Sequence, residues 1–312
     1  MERLPTKIVF LDRATIPSSL GKPQALHIWQ EFPSTAQEEV VKRLEGTKIA
    51  ITNKVKLSRS VIEQLPELGM IAVAATGTDN VDTDYCKRRG ILVSNIRDYA
   101  NISVPEHVFS MILALKRNLF AYRRDIRRWE KSEQFCMPQH PIGDIAGSTF
   151  GIVGYGSLGR KVAELAKCFG ASVLIAERKG ASSCRDGHTP FSTVLEQSDV
   201  LSLHCPLNAE TWHLIGADEL RKMKPGALLI NAARGGLVDE GALVSALKDS
   251  QLGGAGFDVL STEPPSSGNP ILDLELPNFV LTPHVAWTGG SALEALTRRL
   301  IGNIDAYLST SA

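Results

Sequence analysis

The chain has 312 residues, 43% apolar and 22% charged, a length that suggests about two domains with room for a sizeable core. Lys plus Arg and Asp plus Glu balance at 34 each, so no long-range field is available to gather nucleic acid or an anionic membrane, and neither is expected as a partner. Five cysteines (Cys86, Cys136, Cys168, Cys184 and Cys205), odd in number and without C-x-x-C spacing, argue against a disulfide framework and a structural zinc site. No metal is expected, and a reducing, cytoplasmic setting is.

The N-terminal segment carries Glu2 and Asp12 around a short apolar run and lacks the basic flank and long apolar stretch of a signal peptide. No run approaches the ~20 apolar residues of a membrane span. Short apolar runs then alternate with helical patterns. Strands are expected over 7–11, 48–52, 70–75 and 91–94. Helices are expected over 35–44, ended at Gly46, and over 58–65, capped by Ser58. Ser103-Val104-Pro105-Glu106 reads as a capping box with proline in the first turn, and Val108, Met111, Ile112 and Leu115 continue it at helical spacing. Residues 120–146 have weak periodicity. They hold Arg123, Arg124, Arg127 and Arg128, which read as a solvated face, together with Trp129, Phe135 and two prolines. A surface excursion and an arm packed on a second subunit both stay open for this stretch.

The alternation resumes after Thr149. Strands are expected over 150–153, 172–176, 200–204, 227–231 and 255–259, and helices over 159–169 and 240–248. A last helix over 291–308 sets Leu293, Leu296, Leu300, Ile304 and Leu308 on one face. Continuous apolar runs separated by helices indicate an α/β fold, with parallel sheets covered on both faces.

Gly154-Tyr155-Gly156-Ser157-Leu158-Gly159 is a G-x-G-x-x-G that follows an apolar strand and opens a helix. Gly154 permits the tight turn, Gly156 lets backbone approach a pyrophosphate, and Gly159 lets helix and strand pack closely. The N–H groups of Ser157 and Leu158 can then meet phosphate oxygens. The next strand ends at Glu177, placed to accept hydrogen bonds from ribose hydroxyls and to repel a 2′-phosphate, which favours NAD(H) over NADP(H). Arg178 and Lys179 follow at once and weaken that inference, because either could stack on adenine or meet a phosphate.

Three further segments follow apolar runs: Asn231-Ala232-Ala233-Arg234-Gly235-Gly236, Gly256-Phe257-Asp258 continuing to Glu263-Pro264, and Thr282-Pro283-His284-Val285-Ala286. In open α/β sheets ligands bind beyond the carboxyl ends of strands, so Arg234, Glu263 and His284 are expected at the same rim as the glycine loop. With His204-Cys205-Pro206-Leu207, Met223-Lys224-Pro225-Gly226-Ala227 and Val238-Asp239, these strings resemble the D-isomer-specific 2-hydroxyacid dehydrogenase family over nearly the whole chain. The stretches 74–82 and 177–180 are similar to its hydroxypyruvate reductase (glycerate dehydrogenase) branch.

The resemblance implies a discontinuous, flavodoxin-like substrate domain of residues 1–101 and 282–312, into which a Rossmann cofactor domain of residues 102–281 is inserted. It implies reduction of a 2-keto acid by hydride, with hydroxypyruvate or glyoxylate going to D-glycerate or glycolate. A bulkier 2-keto acid, formate, phosphite or a non-catalytic NAD-binding regulator are the alternatives. Three residues would be catalytic. His284 would donate the proton, since an imidazole titrates near neutrality. Glu263 would bond the other ring nitrogen, orient the ring and favour the imidazolium. Arg234 would hold the substrate carboxylate and polarise the carbonyl through its fork of donors.

Substrate contacts would also come from the backbone of Thr76, Gly77 and Thr78 and from Asn53 beside Lys54. Asp258 would accept from the nicotinamide amide. His204, Cys205 and Pro206 would line the adenosine side, with Cys205 packing rather than acting as a nucleophile, and Ala232, Ala233 and Ala286 would complete the cofactor contacts. Pro105 departs from the alanine of many members. Trp129, Phe135 and His140 could reach a neighbouring active site, and a homodimer is the family expectation.

Overall fold

The computed structural model describes residues 5–310. Glu2 of the N-terminal reading and residues 311–312 of the expected substrate domain lie outside the described residues. The chain divides into two compact units, Met1–Ala100 with Thr288–Ala312, and Asn101–Trp287. Residues 282–287, which include His284, therefore belong to the second unit, not to the first as the sequence suggested.

The first unit holds a parallel sheet in the order β2-β1-β3-β4-β5. Its strands are β1 (Thr6–Phe10), β2 (His27–Glu31), β3 (Ile49–Thr52), β4 (Met70–Val73) and β5 (Leu92–Ser94). This is the flavodoxin-like order. The central strands β3 and β4 are buried along their whole length because helices cover both faces, and their runs of Ile, Ala, Met and Val carry no polar alternation.

Strand β2 was missed by sequence reasoning. It is a half-exposed edge strand carrying His27, Gln30 and Glu31, so it lacks the apolar signal of its neighbours. The helices here are short: α1 (Val40–Arg43), α2 (Arg59–Ile62) and α3 (Thr83–Arg88). The helix expected over 35–44 is a 3-10 turn at Gln37–Glu39 followed by α1. Ser58 does stand before α2, but its hydroxyl meets that of Ser60 at 2.9 Å and caps no backbone N–H. The unforeseen α3 is capped by Asp82, whose carboxylate accepts from the Tyr85 N–H at 2.9 Å.

The second unit opens with α4 (Ser103–Lys116) and α5 (Leu119–Trp129) and then alternates. The order is β6 (Thr149–Val153), α6 (Ser157–Cys168), β7 (Ser172–Ile175), α7 (Phe191–Gln197), β8 (Val200–Leu203), α8 (Ala217–Lys222), β9 (Leu228–Asn231), α9 (Glu240–Lys248), β10 (Gly254–Phe257) and β11 (Phe279–Leu281). These six strands form a parallel sheet in the order β11-β10-β9-β8-β6-β7. Beyond β7 an isolated bridge pairs Ala176 with Thr189, in the place a Rossmann fold gives to one more strand.

Helix α4 buries Val108, Phe109, Met111, Ile112 and Leu115 and packs on β9, β10 and β11. Each such side chain contributes about 1.5–3 kcal/mol. The expected capping box at its start is not formed. The Ser103 hydroxyl donates instead to the Ala286 carbonyl at 2.6 Å, which ties the helix to the loop after β11. The chain returns to the first unit as α10 (Gly290–Thr310), whose Leu293, Leu296, Leu300 and Ile304 are buried. Among the described residues no helix is long and apolar enough to cross a membrane.

Candidate active site

The glycine loop leaves β6 and enters α6, which begins at Ser157. Gly154 has φ +95, and a Cβ there would lie 2.5 Å from the Cys205 nitrogen, so the turn tolerates only glycine. A Cβ on Gly159 would collide with the Gly154 carbonyl, which is the close helix–strand approach its place in the motif predicts. Nothing lies within 4 Å of a Cβ built on Gly156. That open space in front of the Ser157 and Leu158 N–H groups is what a pyrophosphate requires. Strand β6 is flanked by β7 on one side and β8 on the other, so the loop sits where the strand order reverses, the usual ligand crevice of such sheets.

A cavity of about 610 Å³ opens beside this loop and is lined by Gly154, Gly156, Glu177, Arg178, His204, Cys205 and Pro206, all named from sequence, together with Arg185 and His188. Glu177 is buried, 5% exposed, and both of its carboxylate oxygens are engaged. Oε1 accepts from the Arg178 N–H at 2.8 Å and Arg185 Nη2 at 2.8 Å, and Oε2 accepts from the Arg185 N–H at 2.9 Å and Nε at 2.8 Å. These donors hold the Glu177 carboxyl down at about 2, so it is ionised throughout the physiological range. Burial drops the His204 imidazole to about 4, leaving it neutral, with Nε2 2.8 Å from the Ser202 hydroxyl. Burial also pushes the Cys205 thiol up to about 11, which suits packing and not nucleophilic attack.

Three chemical groups arrive from adjacent strands. Arg234 follows β9, Glu263 follows β10 and His284 follows β11, all at the carboxyl end of the parallel sheet. His284 Nδ1 lies 2.6 Å from Glu263 Oε2, and the other carboxylate oxygen accepts from the Leu260 N–H at 2.9 Å. The carboxylate is thereby fixed by its own loop and fixes the ring in turn. Arg234 is half-buried, and its Nη1 donates to the Ala233 carbonyl at 2.8 Å. The next residue, Gly235, is packed so tightly on the Leu260 peptide that a Cβ would overlap it. The arginine loop and the glutamate loop therefore form one block.

His284 itself has φ +56, a left-handed conformation that costs a non-glycine residue about 1–3 kcal/mol and persists only when the surroundings impose it. Asp258 is the main constraint. It is 1% exposed, and its carboxylate accepts from the Thr282 hydroxyl at 2.5 Å, the Val285 N–H at 2.8 Å and the Ala286 N–H at 2.9 Å. Its own carbonyl accepts the His284 N–H at 2.8 Å. His107 of α4 adds to the array, with Nε2 2.9 Å from the Thr282 hydroxyl. The sequence suggested Asp258 as a nicotinamide contact. In the structure both of its oxygens hold the histidine loop. Both peptide groups of Ala286 are likewise engaged, the carbonyl by Ser103. Ala232 and Ala233 lie on the turn into Arg234, where the Ala233 N–H donates to Asn231 Oδ1 at 3.1 Å.

The remaining sequence candidates belong to the first unit. Asn53 was expected to face substrate, but it is buried, and its amide donates to the Thr15 hydroxyl at 3.0 Å. The cause is Asp12, a buried carboxylate that accepts from the N–H groups of Asn53, Lys54 and Val55 and turns the loop after β3 inward. Thr76, Gly77 and Thr78 follow β4. The Thr76 hydroxyl donates to the Ile96 carbonyl at 2.8 Å, and the Gly77 and Thr78 positions are half-buried.

Residues 109–286 match the family described as D-isomer specific 2-hydroxyacid dehydrogenase, NAD binding domain. A glycerate dehydrogenase of Methylorubrum extorquens is 48% identical over 306 residues, covering 97% of this chain and 96% of that protein. The chain belongs to the D-isomer specific 2-hydroxyacid dehydrogenase family. Among solved structures, an acyclic imino acid reductase in complex with NADPH and D-Arg is 31% identical, with a TM-score of 0.83 over 98% of both chains. A D-lactate dehydrogenase of Aquifex aeolicus complexed with NAD and lactic acid is 27% identical, with a TM-score of 0.83 over 97% of this chain and 96% of that one.

As a D-2-hydroxyacid dehydrogenase the chain is an oxidoreductase that uses NAD(H), and its fold is the two-sheet α/β arrangement of that family. The sequence of this dehydrogenase does not signal the roles of Arg185, Thr282 and His107, and it points to Ser103 only as a helix cap. Thr282 stands two positions before His284, where its hydroxyl donates to Asp258. Arg185 lies eight positions beyond Glu177 on an irregular loop, so no periodicity links the two.

Proposed function

We propose that this dehydrogenase reduces hydroxypyruvate or glyoxylate with NADH, giving D-glycerate or glycolate. The 2.6 Å contact between Glu263 and His284, at the sheet end where Arg234 also emerges, carries the reading. When bound, the nicotinamide cofactor supplies a hydride to the carbonyl carbon of the keto acid. The protein's task is to manage the charge left on the carbonyl oxygen. Glu263 occupies Nδ1 of His284, so Nε2 is the atom that delivers a proton to that oxygen. Arg234 offers a planar set of N–H donors to the substrate carboxylate and to the carbonyl. The peptide N–H groups of Thr76, Gly77 and Thr78 are assigned to the substrate carboxylate on the family resemblance.

NAD(H) is proposed over NADP(H) because an ionised carboxylate, Glu177, stands at the end of β7. A homodimer is proposed from the apolar side chains left exposed around α5, with Trp129 at 49% and Phe135 at 94%. Five free cysteines suit a reducing compartment such as the cytoplasm.

The reading is tested by following NADH oxidation with hydroxypyruvate, glyoxylate and pyruvate side by side. Hydroxypyruvate and glyoxylate are expected to give the highest kcat/KM. If none of the three, and no other small keto acid, is reduced, the chain is an NAD-binding protein of another kind.

A further inference from the structure

We infer that Arg185 is a cofactor-selecting residue that reads the 2′-position of the adenosine ribose and lets the chain bind NADPH nearly as well as NADH. The inference limits the NAD(H) preference proposed above to less than about tenfold, because Arg185 compensates Glu177, and it rests on the cavity beside the glycine loop being the adenosine end of the dinucleotide site.

A carboxylate at the end of the second Rossmann strand excludes NADPH only while it faces the 2′-position as an uncompensated anion. In this chain it does not. Glu177 is 5% exposed, and each of its oxygens already accepts at least two N–H groups, one from peptide and one from the Arg185 guanidinium. A carboxylate has about four lone-pair sites, so the two ribose hydroxyls would have to displace existing bonds. The pair is formally neutral, which removes most of the repulsion toward a phosphate.

The arginine, by contrast, has capacity left. Its side chain is 58% exposed, and only Nε and Nη2 bond Glu177. Of the five N–H donors of a guanidinium, about three remain to face the cavity, in the fork geometry that suits phosphate oxygens. Arg178 and His188 line the same cavity. Glu177 is thus a positioning residue for Arg185, and the cationic guanidinium is what the ribose substituent meets. The loop that carries Arg185 is closed at its base by the Glu177 N–H to Thr189 carbonyl bond at 2.8 Å, which fixes its span.

The test is direct titration of NADH and NADPH by their fluorescence, without keto acid, on the wild-type chain and on Arg185→Ala and Glu177→Gln. The wild-type dissociation constants are expected within about tenfold of each other. Arg185→Ala exposes the Glu177 carboxylate, and NADPH binding should weaken at least tenfold more than NADH binding. Glu177→Gln should move the ratio the other way. A general loss of folding would weaken both cofactors alike and leave the ratio unmoved. A ratio unchanged within twofold in both variants, or a wild-type chain that fails to bind NADPH, overturns the inference. Because the readout needs no turnover, a wrong substrate assignment would show in the keto-acid assay and not here.

Discussion

Arg234 leaves β9 in an extended conformation, φ −147, and its carbonyl accepts from the Asn231 side chain at 2.9 Å. Its guanidinium therefore projects from a backbone that the sheet holds rigid. In the role proposed for Arg234, replacing it by alanine removes charge-assisted bonds, each about 1.5–3 kcal/mol, to the substrate carboxylate and the developing alkoxide. Arg234→Ala should raise the KM for hydroxypyruvate by roughly tenfold to a hundredfold and also lower kcat, since part of the interaction strengthens as charge develops. Steady-state kinetics at saturating NADH check this, and an unchanged KM would remove Arg234 from carboxylate binding. The residues proposed to carry chemistry stand out in the sequence because their types are restricted: an imidazole, a carboxylate and a guanidinium after three consecutive apolar strands. Residues that support them do not. Asp258 and Thr282 act through a folded loop, and Asn53 is drawn inward by Asp12, 41 positions away.

At the level of elements, the buried strands were readable and the edges were not. Strands β3, β4, β8 and β9 are buried at every position, so their apolar runs stand out. Strand β2 is half-buried or exposed at every position and carries three polar side chains to two apolar ones. Helix ends were harder still. Both Ser58 and Ser103 were read as caps, yet one bonds a neighbouring hydroxyl and the other a carbonyl 183 positions away. A serine before a helical pattern says that a cap is chemically available, and tertiary contacts decide whether it is used. Asp82 and Asp239 do cap, accepting the N–H of Tyr85 and Ala242 at 2.9 and 3.0 Å. The stretch after α4 shows only weak periodicity in sequence, among clustered arginines and two prolines. In the structure it begins with α5, and Tyr122, Ile126 and Trp129 of that helix line one cavity with Met137 and His140 of the loop that follows.

For the molecule as a whole, the exposed apolar side chains around α5 are what motivate the proposed dimer. Leu119, Phe120, Ile126, Trp129 and Phe135 are each more than two-fifths exposed on one short stretch. Burying them against a second copy would recover free energy at about 25 cal/mol per Å². Sedimentation equilibrium is expected to give twice the chain mass, and Ile126→Glu combined with Phe135→Glu should weaken association at least tenfold while leaving the far-ultraviolet dichroism intact. A wild-type chain that sediments as a monomer at micromolar concentration would rule the dimer out.

The central claim is that one imidazole, oriented by one carboxylate, protonates the alkoxide formed by hydride transfer. The direct measurement is a single-turnover reaction of the NADH-loaded chain with hydroxypyruvate, comparing wild type with His284→Ala, alongside NADH titrations of both. The account predicts a rate of NADH oxidation slowed by about 10²–10⁴-fold, the usual contribution of a positioned general acid, with the NADH dissociation constant unchanged within about threefold. Equal single-turnover rates, or a slowing that disappears once the variant is saturated with NADH, would contradict it.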